Sequence, residues 1–395
     1  NIGSNDPVIA MNFNPNVLDC AAAPIAEAWS WVTTPGSDKL IDMCQAVPAH
    51  LPPQSLRDYL AEAIKAGEGA TYTDIRGIPA LREALAGNIS ERYQGTVIAD
   101  DILITAGCNQ AFCSVVDTLC QSGDEVIVPL PCYFNHQMWL TTRAVVPRYL
   151  SFNADTAMPD PQEARSLINE RTRAILLVTP NNPSGAIYSH ECIDQFFELA
   201  REHELALIMD ETYRDFIDIE QLPHRLFSRA DWRDTLVHLY SFSKVFSLTG
   251  FRTGAVAASQ ALLEQLKKIQ DCTAICAPHA GQLAALYGLN NLHAWKLEKS
   301  DELAQRAIAI KQAFEHPDLD YRLISAGAYF AYIQHPFDAP ARDVVKRLIQ
   351  DHEIISLPGS YFGQDQEQFI RFAYANVHER HFEDVIQRLI ASQQI

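Results

Sequence analysis

Lys244 closes the tetrapeptide Ser241-Phe-Ser-Lys244, and Gly250, Arg252 and Gly254 follow it closely. A lysine amine can form an imine with an aldehyde, while two serine hydroxyls and a planar guanidinium fork are partners for a phosphate. The cofactor that carries both groups is pyridoxal 5'-phosphate. Ser-x-x-Lys also arises by chance, usually with a surface lysine, so the reading needs support from elsewhere in the chain. Thr235–Tyr240, just before it, reads as a buried strand. That run delivers the lysine at a strand's C-terminal end, where open α/β sheets place their ligands.

Other strand ends offer matching chemistry. Gly107, Cys108 and Asn109 follow the apolar run Ile102–Thr105 and open a helix; a glycine at that junction lets backbone N–H groups face a phosphate. Asn182, in Pro180-Asn-Asn182-Pro183-Ser-Gly185, follows Ala174–Thr179 and can donate to a phenolic oxygen. Asp210 ends the run Leu205–Asp210, so its carboxylate can pair with a pyridine nitrogen and keep it protonated. Tyr213, three residues on, can reach the phenolic oxygen. Tyr133, after Glu125–Pro129, offers a ring for stacking, and His136 can orient Asp210 from behind. Arg371 stands inside the apolar stretch Phe369–Tyr374 and needs an anion, either a substrate carboxylate or a structural ion pair. Taken singly, each segment also reads as an ordinary turn, helix cap or packing contact.

The elements that must position these residues are short apolar strands alternating with helices, the last two strands being Leu236–Ser241 and Ala255–Ala258. Such alternation predicts an α/β fold with a largely parallel sheet covered by helices on both faces. Residues 281–315 read as one or two long helices bridging to a smaller α/β domain built from both chain ends. The expected division is an N-terminal arm with part of the small domain (1–45), a large cofactor domain (46–285) and the rest of the small domain (286–395). At 395 residues the chain is long enough for two packed domains. A formal charge of −18 argues against a nucleic-acid surface. Nine cysteines without paired spacing suggest reduced thiols, and no apolar run approaches a membrane span, so a cytoplasmic protein with neither nucleic-acid nor membrane partner is expected.

In their order and spacing these motifs resemble the class I/II aminotransferases of PLP fold type I. The resemblance spans residues 40–390 and includes Tyr72-Thr-Asp-Ile-Arg-Gly77, Asn182-Pro-Ser-Gly185, Asp210-x-x-Tyr213, Ser241-x-Ser-Lys244 with Arg252, Pro358–Gly363 and Arg371. It implies that Lys244 carries the cofactor and moves the proton at Cα, that Asp210 pairs the ring nitrogen, and that Asn182 and Tyr213 hold the phenolic oxygen. It further implies that Tyr133 stacks on the ring, that Arg371 grips the α-carboxylate, and that Gly107, Cys108, Ser241, Ser243 and Arg252 hold the phosphate. Tyr72 would reach across from a second subunit, making a homodimer with shared sites. The substrates implied are an amino acid and a 2-oxo acid, exchanged by a ping-pong cycle.

Three departures from the family pattern bear on the substrate. Ala46 stands where glycine is usual in a substrate-facing loop, Asn109 stands where one aspartate-using branch has lysine, and 272–290 contains no arginine for a distal carboxylate. A neutral side chain is therefore expected, with Leu18, Tyr133, Tyr329 and Phe362 as wall material. The same constellation also serves elimination, decarboxylation, racemisation, cyclopropane synthesis and oxidation. A non-catalytic sensor is the remaining alternative; it would need a DNA-binding extension or lost catalytic residues, and the sequence has neither.

Overall fold

The computed structural model describes residues 11–218 and 221–394, so the first ten residues of the expected N-terminal arm lie outside it. Among the described residues thirteen strands follow in chain order: β1 (Ile41–Asp42), β2 (Ile102–Thr105), β3 (Glu125–Pro129), β4 (Val146–Leu150), β5 (Thr172–Val178), β6 (Ala206–Asp210), β7 (Leu236–Ser241) and β8 (Gly254–Ala257), then β9 (Arg322–Gly327), β10 (Phe330–Gln334), β11 (Ile354–Ile355), β12 (Leu357–Pro358) and β13 (Phe369–Ala373). The helices that concern the site and its supports are α1 (Pro15–Leu18), α2 (Pro24–Ser30), α3 (Gln54–Lys65), α4 (Pro79–Tyr93), α5 (Cys108–Leu119), α6 (Phe134–Thr142), α7 (Pro161–Leu167), α8 (His190–Glu202), α9 (Phe242–Val245), α10 (Gln260–Thr273), α11 (His279–Asn291) and α12 (His293–Ala313).

Strands β2 to β8 form one sheet in the order β2-β8-β7-β6-β5-β3-β4. Neighbours from β7 through β4 pair in parallel, while β8 runs antiparallel to both β7 and β2. The sequence pattern does not signal that reversal, nor does it reveal β4. This edge strand carries Pro147 and Arg148 and is buried only at Leu150, as suits an edge position, where a missing N–H costs no ladder bond.

Both faces of the sheet are covered because alternate side chains feed separate cores. On β6, Leu207 and Met209 join a core with α3, α4, α8 and α11, while Ile208 joins one with α5, α6 and α10. This two-sided burial is what continuous apolar strands require. A third core belongs to the small domain. It contains the antiparallel sheet β12-β13-β10-β9 and the parallel pair β1-β11, which joins the two chain ends. Ala28, Trp31 and Ile41 are buried in it, so this part of the N-terminal segment packs into the same core.

Leu283, Ala285 and Leu292 pack in the large core, whereas Leu303 and Ile310 pack in the small one. The change of core therefore falls within α12, between Trp295 and Leu303. The two bodies meet closely. Gly185 has φ +73°, and a Cβ there would stand 2.4 Å from the carbonyl oxygen of Phe330; a Cβ on Gly327 would stand 2.3 Å from the Gly185 oxygen. Only glycine fits at this seam. The seam holds Asn182, three residues before Gly185, next to strand β13 of the small domain.

Candidate active site

The strand ends of the large sheet converge on a cleft of about 380 Å³. Of the residues expected from sequence, Ala46, Cys108, Asn109, Tyr133, Asn182, Asp210, Tyr213, Ser241, Ser243, Lys244, Arg252 and Arg371 all line it. Gly107 sits just beneath, as N-cap of α5 with φ 86°. A Cβ there would come within 2.3 Å of Arg252 Nη2. Glycine is thus required for the arginine fork to lie over the open N-terminus of α5, where first-turn N–H groups lack helical partners. Arg252 Nη1 also contacts Ser243 Oγ at 3.5 Å and donates to the Thr249 carbonyl at 2.9 Å. Arginine, hydroxyls and a helix N-terminus together make an anion cradle.

Asp210 forms the floor. His136 Nε2 lies 3.2 Å from one carboxylate oxygen, and Thr212 donates to the other from both its backbone N–H (3.0 Å) and hydroxyl (2.8 Å). Burial alone would raise the Asp210 pKa, but His136 and Thr212 outweigh it and hold the group below its ordinary value. The next residue, Glu211, is also buried; its carboxylate accepts from Tyr93 at 3.0 Å and meets His224 and His238 at 2.9 and 3.1 Å. Burial again pushes that carboxyl up, and the two histidines drive it far down. Two consecutive buried carboxylates therefore stay ionised, facing different partners. Thr212 escaped the sequence reading although it lies inside Asp210-x-x-Tyr213; a hydroxyl two residues after an acid is a known turn partner.

Lys244 projects from α9, whose first turn is capped by Ser241 Oγ accepting from Ser243 N–H at 3.2 Å. Its amine donates to the Ala46 carbonyl at 2.5 Å. Burial, with the Arg252 and Arg371 charges, pushes its pKa from 10.5 down to about 8. Arg371 is 2% exposed. It donates to Asn182 Oδ1 at 3.2 Å and to the Cys44 carbonyl, its face packs on Phe330 and Phe362, and its Nε has no partner. Tyr133 is fixed by Asn135 Nδ2, which donates to its hydroxyl at 3.1 Å, and burial pushes its pKa up to about 12 despite a hydrogen bond with Asn109.

Some expectations fail. Leu18 is 66% exposed and lies away from the cleft. Tyr329 and Phe362 are buried behind it, the first 5.9 Å from Lys244 Nζ and the second under the Arg371 guanidinium. The apolar wall is Ile25, Val47, Phe134 and Val178 instead. These come from four separate segments, and no local pattern marks them. Tyr72 is 75% exposed and does not line the cleft of its own chain.

The model for the family "Aminotransferase class I and II" matches residues 38–389, and the chain belongs to that family. It is 28% identical over 353 residues to the aspartate aminotransferase of Thermotoga maritima, covering 87% of this chain and 89% of that one. It is likewise 28% identical to the aromatic aminotransferase ISS1 of Arabidopsis thaliana, covering 86% of each. Among solved structures, YbdL of Escherichia coli, described as having a methionine aminotransferase function, superposes with a TM-score of 0.87 at 23% identity over 96% of this chain and all of that one. The fold is PLP fold type I, and the protein is a PLP-dependent aminotransferase. The cleft fits that cofactor. The glycine-floored cradle suits a phosphate, the ionised Asp210 suits a protonated ring nitrogen, and Lys244 is the amine between them.

The depressed lysine has a consequence that needs no cofactor. Between about pH 8 and 10.5 the unfolded chain binds a proton at Lys244 that the folded chain has released, so this group adds stability as pH rises through that window. In denaturant titrations of cofactor-free protein, wild type should gain stability relative to Lys244→Met from pH 8 to 10.5. A difference that stays flat would mean that the amine is not perturbed.

Proposed function

We propose that this aminotransferase moves an amino group between an L-amino acid with a neutral side chain and a 2-oxo acid, in two half-reactions on one site. The observation that carries the reading is the charge inventory of the cleft. Among the described residues, three basic side chains line it: Lys244, Arg252 and Arg371. Arg252 belongs to the anion cradle and Lys244 to the chemistry. Arg371 remains for one carboxylate. No cation is left in this chain's cleft for a second carboxylate, and the free wall is Ile25, Val47, Phe134 and Val178.

Bound in the cleft, pyridoxal 5'-phosphate supplies an electrophilic aldehyde carbon and a ring that accepts the electron pair released at Cα. We assign the protein's part as follows. Asp210, kept ionised by His136 and Thr212, holds a proton on the ring nitrogen. Asn182 and Tyr213 hold the phenolic oxygen, and Tyr133, locked by Asn135, packs on the ring face. Ser241, Ser243, Arg252 and the N–H groups of Cys108 and Asn109, opened by Gly107, hold the phosphate. Lys244, with its pKa near 8, has a neutral fraction at ordinary pH that serves as nucleophile and as carrier of the Cα proton. Ala46 orients that amine through its carbonyl and borders the substrate.

We also infer a homodimer in which each subunit's Tyr72 serves the other's phosphate, since an exposed tyrosine outside its own cleft is free to do so. A cytoplasmic location is supported by nine free thiols.

A half-reaction screen of the cofactor-loaded enzyme against single amino acids, with mass spectrometry of products, tests the function. Neutral donors should convert the cofactor to its amine form and release the matching 2-oxo acid, at least about tenfold more efficiently than aspartate. Preference for aspartate, or products lacking the 2-oxo acid, would overturn the reading. For the shared site, mixing inactive Tyr72→Ala and Lys244→Ala subunits should form hybrids in which one cleft carries both lesions and the other neither, restoring turnover. If Tyr72 serves its own subunit, every hybrid cleft carries one lesion and no activity returns.

A further inference from the structure

Ile25 reaches the cleft from α2, a helix of seven residues with no side-chain cap at its start. A helix this short has little stability of its own, so its position is set by what it is tied to. Ala28 and Trp31 anchor one side in the small-domain core. The Trp31 ring lies 4.9 Å from the Arg342 guanidinium and 5.7 Å from Lys346 Nζ. Glu27 is the polar tie. One carboxylate oxygen accepts from Arg342 and the other from the Tyr361 hydroxyl.

Tyr361 connects in turn to a second lining segment. Its backbone carbonyl accepts from Gln137 Nε2 at 2.7 Å, and Gln137 belongs to α6, the helix that begins with Phe134. A chain of hydrogen bonds therefore runs from the helix carrying Ile25, through Glu27 and Tyr361, to the helix carrying Phe134. Ile25 and Phe134 are two of the four apolar wall residues. Glu27 itself does not line the cleft.

We propose that Ile25 is a specificity-determining residue for an apolar donor side chain, and that Glu27 is the positioning residue that fixes its helix relative to the one carrying Phe134. This inference rests on the neutral-donor reading above. It differs in claiming that the preference depends on the placement of α2 as well as on the lack of a second cation. The charge inventory leaves no cation of this chain's cleft for a distal carboxylate, whereas the α2 tie sets how firmly an apolar side chain is gripped.

The test is half-reaction kinetics of the cofactor-loaded enzyme with L-leucine, L-phenylalanine and L-glutamate. Ile25→Ala should raise the apparent KM for leucine and phenylalanine about tenfold while changing that for glutamate by less than about twofold. Glu27→Ala should show the same split with Ile25 intact, and the double variant should add little to either single one, as expected for residues acting through one contact. Glu27→Gln keeps one acceptor and should fall between. Tyr361→Phe removes one donor from the same tie and should repeat the split, which carries the test if Glu27→Ala does not fold. Equal KM changes across all three donors, or wild-type values for leucine and phenylalanine in both Glu27→Ala and Tyr361→Phe, would overturn the inference. A wild-type enzyme that prefers glutamate over both neutral donors overturns the neutral-donor reading itself. A wild type that prefers them, with uniform variant effects, overturns only the role of α2.

Discussion

A carboxylate buried at the end of a central strand must be paired or it will take up a proton. Asp210 is such a group, and the surrounding architecture keeps it charged. His136 reaches it from α6, and Thr212 turns back on it from two residues ahead. Both partners are positioned by elements that the sheet orders: α6 follows β3, and Thr212 follows β6. Behind it Glu211, with Tyr93, His224 and His238, anchors the same strand end to α4 and β7. The cleft floor is thereby a fixed negative charge held without a metal-binding cluster among the described residues.

Positive charge is distributed around that floor in a way that bears on reactivity. Arg252 and Arg371 both lie near enough to Lys244 to disfavour its protonation, and burial adds to them. Neither arginine pairs with an anion of the chain that would draw it away: one lies over Gly107 at the start of α5, the other sits against Asn182 and the Cys44 carbonyl. Lys244, whose amine donates to the Ala46 carbonyl, is available for chemistry where a salt-bridged lysine is not. Lys244 and Arg252 lie between β7 and β8 of the large sheet and Arg371 lies on β13 of the other, so the arrangement depends on the two sheets packing close together. The Gly185–Gly327 seam permits that approach.

Much of this was legible in the sequence for a physical reason. Lys244, Asp210, Asn182 and Gly107 each stand at or just beyond the end of an apolar strand, and parallel strands bring their C-terminal ends to one edge. Position along the chain therefore predicted position in space. The family resemblance then supplied the roles. What was not legible arises from packing at long range. Ile25 and Val47 lie far in sequence from every strand of the large sheet, and their place on the wall depends on β1 joining β11 and on α2 being tied to Arg342 and Tyr361. Leu18 and Phe362 looked equivalent by composition, but the first is exposed and the second is buried under the Arg371 guanidinium. The antiparallel entry of β8 and the weakly buried β4 left no pattern to read.

The central claim is that Lys244 is the amine to which the cofactor is attached. Borohydride reduction of the purified, cofactor-loaded protein, followed by proteolysis and mass spectrometry, tests it most directly. The account predicts a pyridoxyl group on the peptide containing Lys244, lost in Lys244→Ala while cofactor binding persists. A pyridoxyl group on a different lysine of the wild-type protein would contradict it.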